Sequence, residues 1–271
     1  MRIRVVSILA LVTLALPASA RAGTITLNND FEGLNVHFYF NGTTFTPFTL
    51  GSVTMSDGAG LTPELNAPNV FESYCVDIMT DIFESFDGLP EPPATYSADA
   101  GLMSGWGDPT GLPSPASGKL QAAYLYDKYA ETFAATDDQQ GRTALQLAIW
   151  EVLYETTSPV LSVSTTDTGK FHVSIAGLNP VTDAAQIASY EAIATRANLL
   201  LADVATADVS SSEAAWLQLY VPNPLPNDPN HRIDAQDFIG PTGVPEPASV
   251  LLMGAGMATL AAFRSRKSRR G

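Results

Sequence analysis

The chain has 271 residues, 45% hydrophobic and 15% charged, which excludes a disordered polyelectrolyte and supplies one large core plus processing segments. Seven of its 14 Lys and Arg stand at the two ends, so residues 5–263 set 7 basic side chains against 28 acids, a net −21. Such a charge repels phosphate backbones and anionic lipid, excludes nucleic-acid binding as a main function, and reads as a solvated acidic surface.

Residues 1–20 begin with Arg2 and Arg4, continue through an apolar run over 5–16 and close on Pro17-Ala18-Ser19-Ala20. This is the layout of a secretory signal peptide, cleaved after Ala20 or after Ala22, and the run is too short for a spanning anchor. Residues 23–221 contain no internal repeat or long linker and read as one domain.

Within it, Val36, Phe38 and Phe40 alternate with His37 and Tyr39, Asn41-Gly42 is a turn signal, and a second strand follows over 43–50. Residues 70–78 predict another strand, with Tyr74, Val76 and Ile78 on one face and Ser73, Cys75 and Asp77 on the other. A Pro- and Gly-rich region over 89–118 predicts a surface excursion. Ala122, Tyr126, Tyr129 and Phe133 form a helical stripe, and Thr136-Asp137-Asp138-Gln139 fits a capping box opening a second helix that runs to about Glu155. That helix is apolar on most faces, as a central buried element is. Residues 171–175 return to strand alternation, a third helix is predicted over 182–204, and a last strand over 216–221. Strands on both sides of a helical block predict an α+β fold, a sandwich- or barrel-like β-sheet body with an inserted helical segment. Residues 222–243 read as a Pro- and Asn-rich spacer.

The C-terminal segment, 244–271, runs Val244-Pro245-Glu246-Pro247, then a 16-residue apolar stretch over 248–263, then Arg264-Ser265-Arg266-Lys267-Ser268-Arg269-Arg270. Physically it is a short transmembrane helix with a basic stop retained on the cytoplasmic side. The order of parts resembles the PEP-CTERM sorting signal of Gram-negative bacteria. That resemblance implies export across the inner membrane, transient membrane contact through the C-terminal helix, cutting by an exosortase and release to the exterior or the cell surface. A permanent tail anchor is the alternative.

An exported protein with one cysteine cannot use it for an internal disulfide, which leaves Cys75 inert and buried, paired between chains, reactive, or consumed in another covalent bond. Tyr74-Cys75-Val76-Asp77 is followed 71 positions later by Gln146-Leu147-Ala148-Ile149-Trp150. The two segments resemble the paired motifs of the bacterial thioester domains at the tips of Gram-positive surface adhesins. The resemblance implies an internal thioester between the Cys75 thiol and the Gln146 side chain, with Tyr74, Val76, Asp77, Ala148, Ile149 and Trp150 in supporting positions. Leu145 stands where that family usually has Thr. The chemistry suits these residue types: a thiolate attacking a carboxamide expels ammonia and leaves an acyl group reactive toward amines and hydroxyls, and an apolar helix around Gln146 shelters it from water.

Other features carry less. A Cys-His hydrolase needs His37, His172 or His231 beside Cys75, and no such signature surrounds it. Residues 228–237 are similar to a calcium loop but have Arg232 at the fifth position and lack the glycine, so no metal or other cofactor is assigned. The reading is a secreted protein, not a turnover enzyme, whose thioester attaches it once to a nucleophile of a matrix, such as a biofilm, or of a cell surface. The alternative is a noncovalent matrix- or carbohydrate-binding structural protein with an inert Cys75.

Overall fold

The computed structural model describes residues 21–40, 42–59, 70–78, 94–107, 115–155, 160–165, 171–175, 177–212, 214–222 and 232–241. Residues 1–20, expected to be a signal peptide, Asn41 and the sorting segment lie outside them.

The expected hairpin forms, with longer arms: β1 spans Arg21–Phe40 and β2 spans Thr43–Ala59. Gly42 between them takes φ +95, a left-handed conformation that costs glycine little. The register shifts between Leu27 and Phe31, and the buried set of β1 changes there from odd (Ile25, Leu27) to even (Val36, Phe38, Phe40). An irregular pairing of this kind lets one long strand bury opposite parities along its length.

β3 is Val70–Cys75, β4 Ala94–Leu102, β5 Phe171–Val173, β6 Ala214–Pro222 and β7 Arg232–Pro241. Antiparallel pairing runs β1–β2–β3–β7–β6–β4 and returns from β4 to β1, so the sheet closes into a barrel, with β5 added at the end of β1. Closure removes the exposed edges that an open sheet would present. A sheet-dominated α+β body is therefore what the chain forms.

Two expectations need correction. Residues 94–102, placed in a surface excursion, are the strand that bridges β1 and β6. Its buried face is Tyr96, Ala98 and Ala100, an alternation made mostly of small residues and hence weak in hydropathy. Residues 232–241, placed in the spacer, are the strand that joins β3 to β6. There Gln236 and Asp237 are buried, and their hydrogen bonds replace the apolar pattern that normally marks a strand.

Three α-helices accompany the barrel among the described residues: α1 (Ala116–Ala135), α2 (Gln139–Tyr154) and α3 (Ala184–Thr206). α2 packs on β1 and β2 on one side and on α1 and α3 on the other, which is why every residue from Gly141 to Tyr154 is buried. α1 crosses α2 at Gly118, where a Cβ would stand 2.1 Å from the carbonyl oxygen of Val152. The cap of α2 is Asp138, whose side chain accepts from the Gly141 N–H at 2.9 Å. Thr136, expected in that role, instead donates back to Thr132 O at 2.8 Å and belongs to the end of α1.

Candidate functional site

The strand carrying Cys75 loses one of its neighbours at that residue. β3 pairs with β2 only as far as Tyr74 opposite Ser52, while on its other side Tyr74 faces Ile239 and Cys75 faces Phe238 of β7. The Val76 N–H donates to Asp237 O at 2.9 Å. Backbone groups alternate sides along a strand, so the N–H and C=O of Cys75 point away from β7, to the side that β2 has left. Gln146 fills that place. Its Oε1 accepts from the Cys75 N–H at 2.9 Å and its Nε2 donates to the Cys75 carbonyl at 2.7 Å, so one carboxamide does the work of a missing strand residue. Cys75 is 5% exposed and Gln146 1%.

The neighbouring carbonyls are also held by side chains. Tyr126 of α1 donates to Glu72 O at 2.7 Å, Tyr154 of α2 to Val76 O at 2.7 Å, and Gln236 of β7 to Asp77 O at 2.9 Å. Burial pushes the Tyr126 hydroxyl well above its ordinary range, and it does the same to Tyr74, so both remain protonated. Asp237, whose carbonyl holds Val76, accepts from the Trp106 indole N–H at 2.9 Å.

α2 reaches the sheet through two further side chains. Arg142, 2% exposed, gives a bidentate pair to Glu72 at 3.0 and 2.6 Å, and also bonds Glu32 at 2.7 Å and Asp137 at 2.9 Å. Burial alone works against its charge, and the hydrogen bonds to Glu72 and Asp137 hold it above the ordinary arginine range. Thr143 accepts from the Leu34 N–H at 2.9 Å and donates to Leu50 O at 2.8 Å, bridging two residues paired across β1 and β2.

Of the residues singled out in the sequence, Cys75 and Gln146 are in direct contact, and Tyr74 and Val76 flank them, fully buried. Tyr74 meets Tyr126 edge-on with ring centroids 6.2 Å apart. Asp77 is fully buried, just beyond the end of β3 where Gln236 of β7 holds its carbonyl. Ala148 and Ile149 are fully buried, and Trp150 packs between Phe38 (5.3 Å) and Phe171 (6.0 Å) as a core anchor. Leu145 is buried and apolar, while the polar link at this end of α2 comes from Thr143 two residues earlier. Sequence reasoning missed Glu72, Arg142, Thr143, Tyr126, Tyr154, Gln236 and Asp237. Glu72 lies three residues before Cys75 and Arg142 four before Gln146, and that parallel spacing of opposite charges was the available signal.

Chemically, the arrangement polarises a carboxamide. The Cys75 N–H sits on the oxygen that gains negative charge when a nucleophile adds to the Gln146 carbonyl carbon, the geometry of an oxyanion donor. The Cys75 carbonyl orients the nitrogen that would leave. Both lie in a dry interior, where such interactions are strong.

Residues 243–267 match the PEP-CTERM protein-sorting motif, which contains Val244, Pro245, Glu246 and Pro247. The chain is thus exported and sorted to the exterior or the cell surface after C-terminal processing, through recognition by an exosortase-type enzyme. Comparison with curated proteins and with solved structures finds no match. Among the described residues no helix is long and apolar enough to cross a membrane; the apolar stretch 248–263, expected to make transient membrane contact, lies outside them.

Proposed function

We propose that the exported domain forms an internal thioester between Cys75 and Gln146 and uses it once, as an adhesin does, to attach covalently to an amine or hydroxyl group on an extracellular matrix or cell surface. The observation that carries this reading is the double hydrogen bond between the Gln146 carboxamide and the Cys75 main chain, which sets the acyl carbon beside the residue that bears the thiol. In the forming step the Cys75 sulfur bonds to the Gln146 Cδ, the C–N bond breaks, and the thiol proton departs with the nitrogen as ammonia. In the attaching step a target amine takes the acyl group as an amide and the thiol is returned. Nothing is regenerated, so the protein is an adhesive rather than a turnover enzyme, and it needs no metal or organic cofactor.

A noncovalent matrix- or carbohydrate-binding protein is the competing reading, because the same two hydrogen bonds satisfy a buried glutamine without chemistry. Treatment of the folded protein with a small amine separates the two: a thioester takes up the amine covalently and exposes a titratable thiol, and an inert pair does neither.

A further inference from the structure

Three side chains in the first half of α2 reach the sheet, and the two that precede Gln146 determine where it stands. Arg142 lies four residues before Gln146 on the helix, and Glu72 three residues before Cys75 on the strand. The bidentate Arg142–Glu72 pair and the Gln146–Cys75 contact are therefore two rungs between the same helix and the same strand. A helix advances about 6 Å in four residues and a strand about 10 Å in three, so both rungs close at only one translation and crossing angle of the two elements. Thr143 adds a third rung in a different direction, inserted between Leu34 of β1 and Leu50 of β2. With two anchors on β3 and a third between β1 and β2, the tip of α2 is tied to the barrel at three points that do not lie on one line.

We propose that Arg142 and Thr143 are positioning residues for bond formation, holding the Gln146 carbonyl carbon against the Cys75 thiol; this rests on the thioester reading above. The thiol and the carboxamide are carried by separate elements, so the rate at which the sulfur replaces nitrogen on the carbonyl carbon and ammonia leaves depends on their registration. A misplacement on the order of 1 Å costs about a hundredfold in such a step.

The test follows ammonia loss with time by intact mass after refolding of the wild-type domain and of Thr143→Val, Thr143→Ser, Glu72→Gln and Leu201→Ala. Leu201 is a buried residue of α3 and serves as a control for lost stability alone. Thr143→Val and Glu72→Gln are expected to slow bond formation by about a hundredfold, Thr143→Ser to restore it, and Leu201→Ala to leave it near wild type. Formation at the wild-type rate in Thr143→Val, or equal slowing in Leu201→Ala, overturns the proposal. A wild-type domain that keeps its full mass refutes the thioester itself, and a second measurement then judges positioning alone. In a Cys75→Ala background, where no bond can form, solvent exchange of the Gln146 carboxamide protons is expected to rise about tenfold on adding Thr143→Val, as a buried hydrogen bond loosens. Unchanged exchange contradicts the positioning role whatever becomes of the bond.

Discussion

The Gln146 side chain occupies, against Cys75, the place of a backbone neighbour: it takes the Cys75 amide proton at 2.9 Å and gives one of its own to the Cys75 carbonyl at 2.7 Å. The two ends of this contact therefore differ in what they support. The thiol would supply the sulfur of the proposed bond, while the carboxamide also completes the hydrogen bonding of a strand.

That asymmetry predicts unequal mutants. Cys75→Ser removes the cross-link and keeps the amide pairing, at a cost of about 2–4 kcal/mol by analogy with disulfides closing loops of similar size. Gln146→Ala loses the same cross-link and also takes both side-chain hydrogen bonds from the buried Cys75 main chain, adding roughly 1–3 kcal/mol. Urea unfolding of both variants checks the order, and equal stabilities would show that the pairing contributes nothing. Both should lose boiling-resistant capture of amine-bearing material while their circular dichroism remains close to wild type.

A chain ended at residue 221 lacks β7. The barrel is then open between β3 and β6, and Val76 loses its acceptor on Asp237. Such a chain should give no cooperative thermal transition, whereas one ended at residue 243 should unfold in a single step. Cooperative melting of the shorter chain would show that β7 is dispensable.

The failure to foresee β7 has a physical origin. Period-two hydropathy marks a strand whose one face is apolar, and β7 buries Gln236 and Asp237 through hydrogen bonds to Asp77 O and from Trp106. β4 escaped for the related reason that alanines fill much of its buried face. The helices were readable, because Tyr126, Phe133 and the apolar faces of α2 repeat at the helical period. Cys75 and Gln146 stood out as two sequence motifs, yet the contact between them depends on β2 departing at Ser52, a long-range pairing event with no local trace. Barrel closure is of the same kind.

Gly118→Ala should destabilise the domain by about 1–3 kcal/mol, because the new methyl would meet the Val152 carbonyl at 2.1 Å. The usual effect of this exchange within a helix is a gain of roughly 0.5–1 kcal/mol, so the sign is diagnostic. A raised melting temperature would show that α1 and α2 separate easily at their crossing.

Glu151, on α2 and 1% exposed, predicts a pH dependence. Burial pushes its carboxyl from 4.5 up to about 8, an effect partly offset by the Ser162 N–H and reinforced by Glu155. Between those values the folded chain keeps a proton that the unfolded chain releases, so stability falls as pH rises across the window. Glu151→Gln retains an acceptor for Ser162 and removes the titration, and should be more stable than wild type above about pH 8 by on the order of 1–3 kcal/mol. Unfolding curves of the two proteins that run parallel from acid to alkaline pH would contradict this.

The most direct test of the central claim is the intact mass of the folded, exported domain, read before and after treatment with a small amine. The account predicts a mass short by one ammonia relative to the sequence and no titratable thiol, followed after treatment by a single amine adduct on Gln146 and one thiol on Cys75. A full-mass protein that takes up no amine would contradict it and leave Gln146 as a hydrogen-bonding side chain of the core.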